Sequence, residues 1–531
     1  MMADRMRWRP GAVAVAMLAI AGLAATGAVD GAVPRRVMPM PNGATSPAGG
    51  DALVAQAMAR GQTGDCKAVL ALLDPLVARS APGIGGARFS AQLLRMPCLA
   101  SAGRGAEIPP VLAELKAQAS DHPLVQGFQI FVDTDAGRFA QAADGLAGLA
   151  ERRSPALGLI PGELWRAVSQ RLTGAHDFAR RDRVGLALAQ AGWQPSDHPE
   201  IAETLAADGV GTLLAEKDIE DARPLLARVT RPGALWDMAI QRRYALLWPD
   251  IEARLGPESG VVADSYARQA LAAYAANPSD ETATRDAVRA FLALGRLDDV
   301  TATAAPFAIA PGMDEQQVEI VLGGAQALAA GGDREAALAR LAPFATIDPL
   351  HTPDVASAMI SYVEMLDEAG RFADALAFAR TGLGAHAAVY SPFGLVWLRR
   401  SETCALVGLH RADEAKVAGD ALKAAAGDNE AAAVEGLLCA GRDDEAAAIA
   451  IAALATPEGT DRIADQFQPG ETIYAHAPSR LRALWARLLA RGDVKAAFER
   501  SARILPKPLW PVTTPRAVPV LPGAARAGST T

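Results

Sequence analysis

Gly332-Asp333-Arg334-Glu335-Ala336-Ala337-Leu338 decides how this chain folds. A glycine just past the last apolar residue of a helix takes the left-handed conformation that closes it. The Asp that follows can accept from the free amides of the next helix, and the alanines after it let two helices approach. The same order returns at Gly370-Arg371-Phe372-Ala373-Asp374-Ala375-Leu376, with related turns at Gly295, Gly441 and Gly492. Near the start it reads Gly64-Asp65-Cys66-Lys67-Ala68-Val69-Leu70, and later Gly137-Arg138-Phe139-Ala140-Gln141-Ala142-Ala143. A spacing of roughly 33 to 38 residues is the mark of stacked helical hairpins, none of which can bury its own apolar face alone.

Prolines punctuate the same pattern. Pro123, Pro199, Pro278, Pro311 and Pro349 each end a unit, because proline resets the chain after a helix. The first two intervals are close to twice the last two, so an unmarked unit is expected inside each. From 51 to 505 the length allows roughly 12 hairpins of about 37 residues, least regular over 152–260.

The unit from about Glu319 to Pro349 resembles the tetratricopeptide repeat family. Ala325 stands where the two helices of a hairpin cross, Gly332-Asp333 at the turn, Ala337 early in the second helix, and Ile347-Asp348-Pro349 at the end. Val321 and Gly324 occupy first-helix positions where the family carries larger residues. The resemblance implies an all-α, right-handed α-superhelix of stacked antiparallel helix hairpins that binds a protein segment along one face.

Composition agrees with a helical chain. Half of the 531 residues are apolar but only 5% are aromatic, so Ala and Leu supply the core. Long Val/Ile/Thr alternations are absent, which argues against a sandwich or barrel. With 60 acidic against 52 basic residues and a net charge of −8, no field gathers phosphate backbones, and nucleic acid is not an expected partner.

Arg5, Arg7 and Arg9 precede an apolar run from Ala12 through Ala25 and small residues at Thr26, Gly27 and Ala28, the layout of an export signal over residues 1–28. The alternative is an uncleaved anchor, since the run and its flank approach the length that spans a bilayer. Membrane contact is expected only in that case. Residues 29–50 form a Pro/Gly/Ala-rich leader, and 506–531 a Pro-rich tail read as disordered or as a second contact around Trp510.

Export to an oxidising compartment, here the periplasm, permits disulfides. Cys66 with Cys98, and Cys404 with Cys439, each lie about one unit apart, which places each pair on adjacent helices. Two staples between neighbouring units follow; the alternative is small buried core residues.

Trp165, Trp193, Trp236 and Trp248 crowd the irregular middle, with Arg180, Arg181 and Arg183 and the pair Arg242-Arg243 nearby. Such a set is either an aromatic and guanidinium patch for a peptide or glycan, or large rings filling gaps where regularity breaks.

Motifs for chemistry are lacking. The seven histidines fall in no metal-ligand spacing, and no nucleophile elbow or phosphate loop is present. Acidic runs at Asp298-Asp299, Asp413-Glu414 and Asp443-Asp444-Glu445 stand at helix starts, where the helix dipole favours them. We assign no catalytic residue, metal or cofactor. The expected function is a non-catalytic scaffold that binds a protein or peptide partner in a cell-envelope assembly. The alternative is a polysaccharide-acting hydrolase or lyase on a helical toroid, which needs paired carboxylates in a cleft; six tyrosines supply an aromatic sugar cleft poorly.

Overall fold

A computed structural model describes residues 49–80, 86–512 and 514–520. The expected export signal, the leader up to residue 48 and tail residues 521–531 lie outside the described residues. Within them the chain is all-α, with 26 α-helices and no strand. It divides into two compact units, up to Leu213 and from Leu214 onward.

The first unit holds α1 (Gly50–Gln62), α2 (Cys66–Arg79), α3 (Ala87–Ser101), α4 (Ile108–Ala119), α5 (Pro123–Asp135), α6 (Phe139–Glu151), α7 (Gly162–Gly174), α8 (Phe178–Ala191) and most of α9 (Glu200–Ala215). The second begins with α10 (Ile219–Leu226), α11 (Pro232–Ile240), α12 (Trp248–Leu255), α13 (Gly260–Ala276), α14 (Glu281–Ala293) and α15 (Leu297–Ala304). It continues with α16 (Glu315–Ala330), α17 (Arg334–Leu341), α18 (Ala356–Glu368), α19 (Phe372–Leu383), α20 (Pro392–Gly408) and α21 (Ala412–Ala424). Last come α22 (Glu430–Cys439), α23 (Asp443–Ala453), α24 (Pro457–Ile463), α25 (Arg480–Leu489) and α26 (Gly492–Ser501). Helices pack on their chain neighbours and on the next but one, as α14 does on α15 and α16, and α20 on α21 and α22. This is consistent with a helical repeat fold.

The glycine turns form as their chemistry requires. Gly64, Gly137, Gly295, Gly332, Gly370 and Gly441 have φ between 69° and 91°. The residue after each donates its N–H five residues back: Arg138 to the Asp133 carbonyl at 2.7 Å, Asp333 to Leu328 at 3.0 Å, Arg371 to Leu366 at 2.9 Å. That bond satisfies a carbonyl left over at the helix end. Gly492 differs from the expectation: it is the first residue of α26, entered from Arg491 at φ −70°.

The units without a glycine mark use other residues at the same point. His176 and His410 take φ 57° and Lys217 takes 64°. The bond pattern is unchanged after the histidines, with Asp177 donating to Leu172 and Arg411 to Leu406, both at 2.9 Å.

Two chemistries start the second helices. After Gly-Asp turns the Asp carboxylate caps directly, as Asp333 accepts from the Ala336 amide at 2.9 Å and Asp65 from Ala68 at 3.0 Å. After the Gly-Arg turns, and after His410-Arg411, the Arg holds an acid three residues on: Arg371 to Asp374 at 2.6 Å, Arg442 to Glu445 at 2.6 Å and Arg411 to Glu414 at 2.6 Å. The acid then sits on the first turn, where the helix dipole favours it. The Arg442 and Lys423 partners hold the Glu445 carboxyl down to about 2.

At α16 the departure from larger residues has a steric cause. A Cβ on Gly323 would lie 2.4 Å from Val288 Cγ1, and one on Gly324 2.9 Å from Ala304 Cβ. Bare backbone on α16 therefore lets it settle on α14 and α15. Ala325 and Ala337 are buried in the same core, with Phe344 and Leu341.

Both cysteine pairs are disulfides. Cys66–Cys98 ties α2 to α3 and Cys404–Cys439 ties α20 to α22, with Cα–Cα distances of 5.0 and 5.2 Å. Two bridges agree with an oxidising compartment.

In the second unit the chain end returns to the unit's own beginning. Gln241 pairs with Ala502 in an isolated antiparallel bridge, and the Arg503 amide donates to Ile240 O at 2.8 Å. The Arg503 guanidinium lies 3.5 Å from the Trp248 ring centre, donates to the Ala239 carbonyl and pairs with Glu252 at 2.7 Å. The Pro-rich tail departs from the expected disorder over its described part. Leu505 and Leu509 are buried, Ser259 Oγ donates to the Leu509 carbonyl, and Arg516 pairs with Asp264 at 2.9 Å. Prolines stop a helix there, but they leave an extended segment free to lie on its own unit.

Candidate binding site

In the first unit, α7, α8 and α9 line a cleft of about 230 Å³. Trp165 forms a wall from α7 and is 6% exposed. Gly185 on α8 lets its neighbours pack close: a Cβ there would meet Leu205 at 3.3 Å and the Trp165 ring at 3.8 Å. Arg166, Ser169, Gln170, Arg181 and Asp182 bring polar groups from α7 and α8, and Thr204, Asp208 and Thr212 bring them from α9. The α9 residues repeat every four positions, so one polar stripe of that helix faces the cleft. Arg181 lies 5.1 Å from the Phe178 ring centre and 2.7 Å from Asp182, which fixes its guanidinium. Thr212 spends its hydroxyl on the Asp208 carbonyl of its own helix at 3.2 Å. Neither a histidine nor a cysteine is among the lining residues, and the set is suited to hydrogen-bonding and stacking against a polar or extended ligand.

The tryptophans singled out by sequence fall in both units. Trp165 lines the cleft, while Trp193 is buried nearby in sequence and donates from Nε1 to the Leu157 carbonyl at 3.0 Å. Trp236 and Trp248 belong to the second unit. Trp248 donates to the Met238 carbonyl at 3.2 Å and is faced by Arg503 and, at 5.8 Å, by Arg242. Arg242 also donates to the Glu499 carbonyl. Arg243 pairs with Asp461 at 2.7 Å and lies over Tyr244 at 4.7 Å. Of these, Trp248 and Arg242 hold the returning chain end.

Carboxylates enclosed by the second unit form a separate feature. Arg400 is 2% exposed, lying 3.1 Å from Glu435 and 3.4 Å from Asp367. At the start of α25, Arg480 reaches Asp367 at 2.7 Å, and the capping residue Ser479 donates to Glu368 at 2.6 Å. Glu364 faces the same group; desolvation, opposed by Arg400 and reinforced by the neighbouring carboxylates, pushes it up to about 7. Around Asp237, desolvation and then the charges of Asp465 and Asp461 raise the carboxyl to about 8, although its side chain keeps accessible surface. Among the described residues no group of three or more His, Cys, Asp and Glu is placed to hold a metal ion, and no helix is long and apolar enough to cross a membrane.

Compared with models of known families and with curated proteins, the chain matches none.

Sequence reasoning reached Trp165 and Arg181 in the cleft and missed Gln170, Thr204, Asp208 and Thr212. The signal that points to them is the polar line at 204, 208 and 212 on a helix whose other residues are mostly Ala, Leu, Val and Gly.

Proposed function

We propose that this protein is an exported, non-catalytic scaffold of the tetratricopeptide-like class, whose hairpins stack into a right-handed superhelix and bind a protein segment in a periplasmic cell-envelope assembly. The observation that carries this reading is the cleft of α7, α8 and α9, where an indole wall, a fixed guanidinium and a polar stripe converge. Such a surface offers hydrogen bonds and stacking to an extended chain, as helical repeat proteins do along their faces. The two disulfides and the N-terminal layout of Arg5 to Ala28 support an exported setting. A photo-crosslinking residue at Gln170 should capture a discrete envelope protein, and Arg181→Glu should abolish the adduct. No adduct above background with either protein would sink the reading.

A second reading, a polysaccharide-acting hydrolase or lyase, draws on Glu364, whose carboxyl is raised into the range suited to a general acid at neutral pH, and on the solvent-exposed carboxyl of Asp237. Its test is product release from cell-wall and exopolysaccharide preparations, with Asp237→Asn and Glu364→Gln as the variants that must lose it.

A further inference from the structure

The seat of the C-terminal segment has the features of a recognition site. Asp264 on α13 grips Arg516 with both oxygens, Nε to Oδ1 at 3.1 Å and Nη2 to Oδ2 at 2.9 Å, a fork that lysine cannot reproduce. The Arg516 amide donates to the Leu294 carbonyl at 2.8 Å, so main chain and side chain are read together. Two glycines make the room. A Cβ on Gly260 would fall 2.5 to 2.6 Å from the guanidinium atoms, and the bare Gly295 turn lies against Pro515 and Thr514. The loop before α13 is strained: Glu258 and Ser259 are consecutive non-glycine residues at φ 57° and 51°. Strain of this kind persists where surrounding structure holds it, and it clusters at ligand clamps. Here Ser259 grips the Leu509 carbonyl, Tyr474 Oη donates to the Ser259 carbonyl at 3.1 Å, and Glu258 lies 4.0 Å from Arg516.

By contrast, the occupant is held at one point. Thr514, Pro515, Ala517 and Val518 are exposed, and only Arg516 is inserted among them. The seat is built on α13 and on the α14–α15 turn, which owe their packing to other helices. We propose that this seat is an exchangeable receptor for the Thr514-Pro515-Arg516 segment, filled here by the chain's own C-terminus and open to the same segment of a second copy. The proposal is independent of the cleft in the first unit.

The test uses the full-length chain with a protease site in place of residues 511–513, folded and then cut. A high-salt wash should release the fragment that begins at Thr514, because the anchoring ion pair is partly exposed and screened by salt. At low salt, a labelled Thr-Pro-Arg-Ala-Val-Pro-Val peptide should then bind saturably. Its Arg→Ala version should bind at least tenfold more weakly. Gly260→Ala in the cut protein should weaken the intact peptide at least tenfold, with the melting temperature of the uncut chain unchanged. The proposal is overturned if the fragment stays bound through the wash, if both peptides bind equally, or if neither binds at millimolar concentration.

Discussion

Two stretches of the second unit are stabilised in different ways. From α14 to α23, the hairpin turns are closed by bonds within a few residues and the helices pack on small side chains, as Gly323 on Val288 and Ala337 against Leu341 and Phe344 show, with long-range contacts added at Leu294, Asp367 and Glu368. Between Arg231 and Gly260, α11, α12 and the loops around Arg242 and Glu258 depend chiefly on residues some 250 positions away: Ala502, Arg503, Leu509 and Arg516. The first stretch follows a local rule that repeats. The second depends on partners supplied by the far end of the chain, and it uses tryptophan and arginine because large amphipathic side chains can bridge imperfectly matched surfaces.

The contrast is broken hardest at Arg400. Arg400→Met leaves Glu435 buried without its ion-pair partner and Asp367 with Arg480 alone, and should cost about 3 to 5 kcal/mol. Denaturant melts should show the loss throughout the second unit. Next, Cys404→Ala with Cys439→Ala should cost about 2 to 4 kcal/mol, read as a lower melting temperature that reducing agent lowers no further through this bridge.

Arg503→Ala removes the Trp248 contact, the Glu252 pair and a bond to the Ala239 carbonyl. We expect about 2 kcal/mol, with hydrogen exchange rising over 239–260 and 499–516 and little changed from α16 to α20. Uniform acceleration would erase the distinction between the two stretches.

Proton linkage sharpens it further. Glu364 has a raised folded pKa, so the folded state holds its proton more tightly and the group favours folding at acid pH. That contribution is lost as pH rises from the ordinary carboxyl range through about 7. Glu364→Gln should match the wild type near pH 4 and exceed it by about 2 kcal/mol at pH 8. Equal stability of the two proteins at pH 8 would contradict the assignment. The smallest effect is expected at the turns: His410→Gly relieves a left-handed histidine and should stabilise by about 0.5 to 1 kcal/mol, whereas Gly370→Ala should destabilise by a similar amount.

These experiments follow the line between what the sequence made legible and what it did not. Hairpin turns at Gly137, Gly332 and Gly370 could be read because left-handed backbone selects glycine, and the cysteine pairs could be read because they share the unit spacing. Turns at His176, Lys217 and His410 were hidden because context holds a non-glycine residue in the same conformation. Nothing local to Trp248 names Arg503 as its partner, so the return of the chain end, and with it the ordering of residues 506–512 and 514–516, could not be foreseen. In the cleft, Trp165 was conspicuous as a rare aromatic residue. Thr204 and Thr212 were not, since hydroxyls on a helix are commonplace and only packing reveals which face they share.

The bridge between Gln241 and Ala502 also bears on how this chain can change over time. Hairpins that touch only their neighbours can be duplicated or lost with little penalty at a distance. Where the two ends must meet, one hairpin more or fewer shifts Arg503 away from Trp248 and separates the ends. The meeting point therefore counts hairpins: one inserted between α12 and α26 would have to break it, even if the added hairpin folded well.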